Sequence, residues 1–472
     1  MIAKLGQGLS RLFSKTAPDP FVLAVLLTVL TGVLAWWFGF AGLPEGESKV
    51  SAVIDAWRDT DTGMWRFLGF GMQMCLILVT GHALAESRPV AALITGLTRL
   101  PKTPAAAAAM VALVAMLFGL INWGLGLIVG ALLARDVARA MDARGVRTHA
   151  PVLAAAGYAG MLVWHGGLSG TAPIKMTSVA EASSVLPAET IAALGDSPAI
   201  LLSRTVFSPM NLFVSGGLLL LIPALLMLLS PKASGPGDET LMPMPAEEDL
   251  FEEPRLPIRT VPDFLERTPM VPWMLAALLI WAMLRFALDG NEPLGDRLLS
   301  VGPNEINMTM LALGLVAHGS MRSYAKSAER GARGCAGVIL QFPLYAGIMG
   351  MLATSGLIAM FSDWMSSNAT QGTLPVFTFL SAGVVNLFVP SGGGQWAIQG
   401  PVALQAGQSL GVGPEKMVMA VAYGDQLTNM LQPFWALPLL AITGVRARDI
   451  VGYTALIMLA GGAWMTLGLL VF

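Results

Sequence analysis

Nine stretches of the chain are apolar over lengths that match the hydrocarbon core of a bilayer: residues 20–41, 63–86, 150–170, 205–229, 269–288, 304–320, 337–361, 415–441 and 450–472. A helix needs about 20 such residues to cross. Backbone N–H and C=O groups find no water there, so only helices and closed barrels span. The runs are continuous rather than alternating, which favours helix over strand. The predicted fold is an all-α polytopic membrane protein. Composition agrees: 12% of the residues are charged, against about 25% in soluble domains. The formal net charge of −2 suggests no nucleic-acid partner; membrane lipid is the expected surrounding. Cys75 and Cys335 show neither a disulfide framework nor metal-ligand spacing, so no cofactor or metal centre is expected. The run at 20–41 follows Lys4, Arg11 and Lys15 and is too long for a signal-peptide core, so it reads as the first span.

Two further segments, 104–134 and 373–410, each join two apolar runs across a break and read as re-entrant hairpins. The second break lies in Asn386-Leu-Phe-Val-Pro390-Ser391-Gly392-Gly393-Gly394-Gln395-Trp396-Ala-Ile398-Gln399-Gly400-Pro401. Pro390 lacks a donor and three successive glycines disfavour helix, so a fresh helix is expected at Gln395. That leaves bare N–H groups at Ser391, Gly392, Gly393 and Gly394, an anion site without a side-chain cation. A plain turn between two spans is the bland alternative. The site reading is preferred because carriers build binding sites from broken helices.

Placing the charges tests the topology. With the N-terminus in the cytoplasm, the inner segments hold 20 of the 28 Lys and Arg. The outer segments hold Lys49, Arg58, Arg66, Lys175, Arg204, Arg297 and Lys416, and Arg285 lies within a span. The bias follows the positive-inside rule and places the C-terminus in the periplasm. An acidic, Pro-rich cytoplasmic linker, 231–268, separates an N-terminal repeat, 1–230, from a linking span and a C-terminal repeat, 269–472. Asn122 and Tyr158 in the first half match Asn386 and Tyr423 in the second, at intervals of 36 and 37, and Pro173 and Pro438 each follow 15 residues after the Tyr. Hairpin 104–134 is flanked by Lys102, Arg135 and Arg139, and hairpin 373–410 by Asp363 and Glu415. The two repeats therefore read as inverted in topology, each with a re-entrant hairpin and an interrupted transmembrane helix, at 150–173 and 415–441.

Four polar breaks are then expected to converge. Asp425 is the most informative residue, because a charge near mid-bilayer costs about 2.5–3.5 kcal/mol on insertion scales. It is read as the ion-coupling group, taking H⁺ or, with Asn386, helping to hold Na⁺. The substrate-binding candidates are Asn122, Trp123, Gly124, His165, Ser169, Thr171, Asn386, Ser391, Gly392, Gly393, Gly394, Gln395, Asn429 and Gln432. For Gly166, Gly167 and Gly170, close helix packing explains the residue type as well as a site does. A small acid would place its apolar remainder against Trp123, Trp164, Trp396 or Met430. Each buried CH₂ contributes only about 0.8 kcal/mol, so chain-length selectivity should be shallow.

The Pro390-Ser-Gly-Gly-Gly-Gln-Trp396 stretch, with Asn122-Trp-Gly and Tyr423-Gly-Asp-Gln-Leu-Thr-Asn429, resembles the signature of the short-chain fatty acid transporter family. The resemblance runs over nearly the whole chain. These are bacterial carriers associated with acetoacetate and butyrate utilisation. It implies uptake of small monocarboxylates across the bacterial inner membrane, without enzymatic activity. It also implies kinship with an ion-transporter superfamily that has inverted repeats, two re-entrant hairpins and often elevator-like motion and homodimers. Two other classes compete. A cation antiporter of the same superfamily would use Asp425 without an organic substrate. An intramembrane serine protease would use Gly167-Leu-Ser169-Gly170 with one of His82, His149, His165 or His318, but a four-residue string is a weak motif and a base must lie within reach at the same depth.

Overall fold

The computed structural model describes residues 2–16, 18–44, 46–183, 186, 190, 191, 194, 199–231, 258–288 and 303–472. Most of the 231–268 linker, and Arg297, lie outside the described residues. The elements in chain order are α1 (Ile2–Thr16), α2 (Pro20–Phe38), α3 (Lys49–Arg58), α4 (Leu68–Glu86), α5 (Arg88–Thr98), α6 (Pro104–Ile121), α7 (Trp123–Ala143), α8 (Ala150–Tyr158), α9 (Thr171–Lys175), α10 (Val179–Ser183) and α11 (Pro209–Leu229). After the linker come α12 (Val261–Arg267), α13 (Met270–Leu288), α14 (Pro303–His318), α15 (Met321–Ala332), α16 (Ala336–Thr354), α17 (Leu357–Ser367), α18 (Leu374–Phe388), α19 (Gly392–Leu410), α20 (Pro414–Thr428), α21 (Pro433–Thr443) and α22 (Ala447–Val471). No strand occurs among the described residues.

The helix starts follow local chemistry. Asp19 accepts from Phe21 N–H, Thr103 from Ala106 N–H and Ser208 from Asn211 N–H, each with a proline in the first turn. Proline there loses no bond, since the first helical N–H groups have no partner in any case. Thr260 and Asp263 form a capping box ahead of α12.

Several expected runs differ from the helices that form. Five described helices are long and apolar enough to cross: Pro20–Phe38, Pro104–Ile121, Pro209–Leu229, the continuous Met321–Thr354 and Ala447–Val471. Val261–Arg267 and Met270–Phe286 make a sixth if the pair, bent by 45°, is one span. The run at 337–361 instead starts sixteen residues earlier, because amphipathic α15 leads into α16 through a short 3₁₀ turn, and it stops at Ser355 where Gly356 takes φ +77°. The run at 415–441 is two helices, and 150–170 ends as helix at Tyr158. Polar and glycine-rich insertions split what hydropathy reads as single crossings.

Helix α6 packs on α7, α8 and α11, while α18 packs most extensively on α20, which also meets α19. The two bundles meet where α20 touches the turns after α8. Outside this centre, α4 packs on α14, α15 and α16, and α1 lies along α22. Glu86 at the end of α4 is held by Ser327 and Arg330 of α15 and lies 3.0 Å from His82 Nε2. Removing the guanidinium in Arg330→Met is expected to destabilise the protein by about 1.5–3 kcal/mol, whereas Arg58→Met, which breaks an exposed pair with Asp55, should cost about 0–1 kcal/mol. Thermal melts in detergent compare the two; equal shifts would make the α4–α15 pair an ordinary surface contact.

Candidate functional site

The chain after α8 does not resume as regular helix. Two short 3₁₀ turns, Ala159–Leu162 and Trp164–Gly166, lead through Gly167 to Gly170 into α9. This first break is held from three sides. His165 N–H and Gly166 N–H donate to Gln426 Oε1 at 3.0 and 3.1 Å, Leu168 N–H donates to Leu120 O at 2.7 Å, and Asn211 Nδ2 donates to Gly166 O at 2.8 Å. Gly167 is required for packing: a Cβ there would lie 2.3 Å from Leu120 O. A Cβ at Gly170 would lie 2.1 Å from His165 O, and one at Gly166 would lie 2.7 Å from Asn211 Oδ1. The packing explanation holds for all three.

The tip between α6 and α7 is closed. Asn122 Oδ1 accepts from Gly124 N–H at 3.0 Å and Leu125 N–H at 3.2 Å, and Ser169 Oγ accepts from Trp123 N–H at 2.9 Å. The first amides of α7 are thus satisfied within the chain, by Asn122 and Ser169. The Trp123 ring joins an aromatic cluster with Phe70 and Trp435.

The tip between α18 and α19 is open. The structure corrects the expected helix start: α19 begins at Gly392, three residues before Gln395, because Ser391 caps it. Ser391 Oγ accepts from Gly394 N–H at 3.2 Å, and Gln395 N–H reaches Ser391 O at 2.8 Å. The cap, about 0.5–2 kcal/mol, offsets part of the glycine penalty of about 1 kcal/mol per residue, and burial of Gly392 against the first break anchors the rest. The amides of Gly392 and Gly393 have no acceptor among the described residues. Gly392 sits against the first break: a Cβ there would lie 2.9 Å from Trp164 Cη2, 3.1 Å from His165 Cε1 and 3.2 Å from Thr171 Oγ1.

The second break, between α20 and α21, is bound to the second tip. Asn386 Nδ2 lies 2.7 Å from Asp425 O, 2.9 Å from Asn429 Oδ1 and 3.0 Å from Thr428 Oγ1, and Gln432 Nε2 donates to Leu387 O at 2.8 Å. Gln432 Oε1 caps α21 through Phe434 N–H. Gln395 turns away toward Ala382 O and Gln399 Oε1. Trp396 is buried in a separate apolar cluster with Ala172 and Leu404.

Asp425 is 1% exposed and His165 is fully buried. Asp425 Oδ1 lies 3.2 Å from His165 Nδ1, within ion-pair distance but outside hydrogen-bond geometry, and His165 Nδ1, Asp425 Oδ2 and Asn386 Oδ1 are buried without a hydrogen-bond partner. His165 also accepts from Ala172 N–H at Nε2, 3.0 Å away, and stacks on Trp164 at 4.3 Å. The structure therefore brings together Asp425, His165, Thr171, Gly392, Gly393, Asn386 and Asn429. It also adds Gln426, Thr428 and Asn211, and places Trp164, expected as an apolar contact, against Gly392. Asn211 is the lone amide inside an otherwise apolar run, and that was its only signal in the sequence.

Apolar helices enclosing several polar, non-helical breaks, with a carboxylate buried among them, are the architecture of a multi-pass membrane transporter. The chain belongs to the short chain fatty acid transporter family, whose sequence profile matches residues 1–472. It is 36% identical over 475 residues to a protein of Escherichia coli (strain K12) named "putative short-chain fatty acid transporter", covering 100% of both chains. A Haemophilus influenzae protein of the same name is 34% identical, covering 98% of each. The family and these relatives are transporters rather than enzymes, so the Gly167-Leu-Ser169-Gly170 string is not a protease motif here. Among solved structures, the Alcanivorax borkumensis YdaH transporter aligns at 16% identity with a TM-score of 0.40, covering 96% of this chain and 97% of that one. Neisseria gonorrhoeae MtrF aligns at 14% and 0.41, covering 97% and 96%.

Proposed function

We propose that the protein carries small monocarboxylates of the butyrate and acetoacetate type across the bacterial inner membrane, in symport with a cation bound at Asp425. The observation that carries this reading is the pair of free amides, Gly392 and Gly393, at the start of a 19-residue helix and one imidazole ring away from a buried carboxylate. Two charge-assisted hydrogen bonds of about 1.5–3 kcal/mol each hold the substrate carboxylate, and the helix terminus adds about 0.3–1 kcal/mol. Ionised Asp425 opposes this anion: like charges at such separation repel by about 2 kcal/mol at an effective dielectric of about 20. Neutralising Asp425 with H⁺ or Na⁺ removes the repulsion, so cation and substrate bind together.

The inverted-repeat reading, 1–230 against 269–472, with hairpins at 104–134 and 373–410, is supported by crossed tyrosines. Tyr158 OH donates to Asn429 O at 2.9 Å, in the second half's break. Tyr423 OH donates to Asn211 Oδ1, whose amide holds Gly166 O in the first half's break. A cytoplasmic N-terminus, periplasmic C-terminus and homodimer complete the proposed arrangement.

Purified protein in liposomes tests the reading with labelled butyrate, acetoacetate and a dicarboxylate, under imposed H⁺ or Na⁺ gradients. Accumulation of the two monocarboxylates above passive leak, and not of the dicarboxylate, is the expected result. Cation flux without any acid uptake would favour the antiporter, which uses Asp425 but leaves the two amides idle.

A further inference from the structure

Cys75 and Cys335 are the only two cysteines in 472 residues, and they stand 260 positions apart. Their spacing carries no motif, yet the structure brings them together. Cys75 lies in α4, and Cys335 closes the short 3₁₀ turn between α15 and α16. The Cys335 thiol donates to Cys75 O across 3.7 Å, and the two thiols lie within hydrogen-bond reach of each other. Two positions drawn at random from a chain of this length seldom touch.

The contact follows from the packing of α15 on α4, which run antiparallel. Ser327 and Arg330 meet Glu86, Gly331 meets Val79, and Cys335 meets Cys75. Each step along one helix matches a step back along the other, one turn at a time. Gly331 sets the separation: a Cβ there would lie 3.0 Å from Val79 Cα and 3.0 Å from His82 Cβ. Backbones this close one turn away bring the two cysteines toward the range a disulfide needs, with Cα atoms about 4.4–6.8 Å apart. We propose that Cys75 and Cys335 form an oxidisable dithiol, which an apolar hydroperoxide dissolved in the lipid converts to a disulfide stapling α4 to the α15–α16 junction.

Access selects the oxidant. Both thiols are buried, and buried thiols are inert to water-borne reagents. The exposed side chains beside them are apolar: Met72 and Leu76 on α4, and Ile339 on α16. An oxidant arriving from the lipid meets the pair first. One thiol sulfur attacks the terminal peroxide oxygen; the O–O bond breaks, an alcohol leaves with the thiol proton, and a sulfenic acid remains. The second thiol attacks that sulfur, the S–S bond forms, and water leaves with the hydroxyl and the second proton. The two thiols give up two electrons, and one hydroperoxide is reduced to an alcohol and water. The bond closes a loop of 260 positions. It restricts the unfolded chain, so the oxidised protein resists unfolding better than the reduced one.

The test treats the full-length protein in liposomes with cumene hydroperoxide, then denatures it and counts free thiols by mass after maleimide labelling. The untreated chain should take two labels and the treated chain none. The treated chain should also run as a monomer on a non-reducing gel and melt at a higher temperature, until dithiothreitol restores both thiols. Cys75→Ser and Cys335→Ser should show no rise in melting temperature. Two labels on the treated wild type, or a covalent dimer in place of the internal bond, would overturn the proposal. Hydrogen peroxide at the same concentration should leave both labels over the same time; equal loss overturns the route through the lipid. Should a serine variant fail to fold, peptide mapping of the treated wild type decides. A peptide joining Cys75 to Cys335 supports the staple, and sulfinic or sulfonic acid at either residue without that peptide overturns it.

Discussion

In Asp425→Asn, gradient-driven accumulation of labelled butyrate is expected to fall to the level of passive leak. Asn matches Asp in size and keeps an oxygen where Oδ1 lies 3.2 Å from His165 Nδ1, so the packing around α20 survives. It is permanently neutral, so it imitates the cation-loaded state and cannot discharge. Exchange of internal for external butyrate should therefore persist and lose its dependence on the coupling cation. Burial sharpens the expectation: the side chain is 1% exposed, and among the described residues its sole charged or titratable neighbour within ion-pair distance is His165. Accumulation at the wild-type level would remove Asp425 from the coupling step.

The second large effect belongs to Gly393. A Cβ there meets only Thr171 Cγ2, at 3.4 Å, an ordinary contact. Gly393→Val should therefore fold, while its branched side chain covers the two free amides. Losing one charge-assisted hydrogen bond of about 1.5–3 kcal/mol raises the KM for butyrate about 10- to 100-fold, with little change in melting temperature. Val111→Ala is the opposite control: Val111 is fully buried in α6, and its two missing methyl groups cost about 1.6 kcal/mol of stability with KM unmoved. Equal effects of the two on KM would assign Gly393 to packing. Gly392 is unsuitable for this experiment, because a Cβ there strikes Trp164, His165 and Thr171 together.

The helical, lipid-embedded class was legible because apolar length is a property of consecutive residues. So was the buried carboxylate, because a lone Asp nine residues after Lys416, inside an apolar run, has nowhere polar to go. The break at Pro390–Gly394 was legible too, from backbone chemistry. Its extent was misjudged: propensity stopped the helix short of the glycines, whereas α19 begins at Gly392 behind the Ser391 cap. The two hairpin tips looked alike in sequence. They differ in the structure because Ser169, 46 residues from Trp123, closes the first tip, while among the described residues no hydroxyl accepts from Gly392 N–H.

Local order along the chain thus sufficed for the helical class, the membrane environment and the family signature, but not for where each helix starts and stops. Long-range juxtaposition settled the rest: Gln426 beneath His165, Asn211 bridging Gly166 and Tyr423, and the ring nitrogen turned toward Asp425. The physical reason is range. Hydrophobic length and helix propensity act between neighbours within a few turns. A hydrogen bond acts within about 3 Å, so which partners meet depends on how distant helices pack.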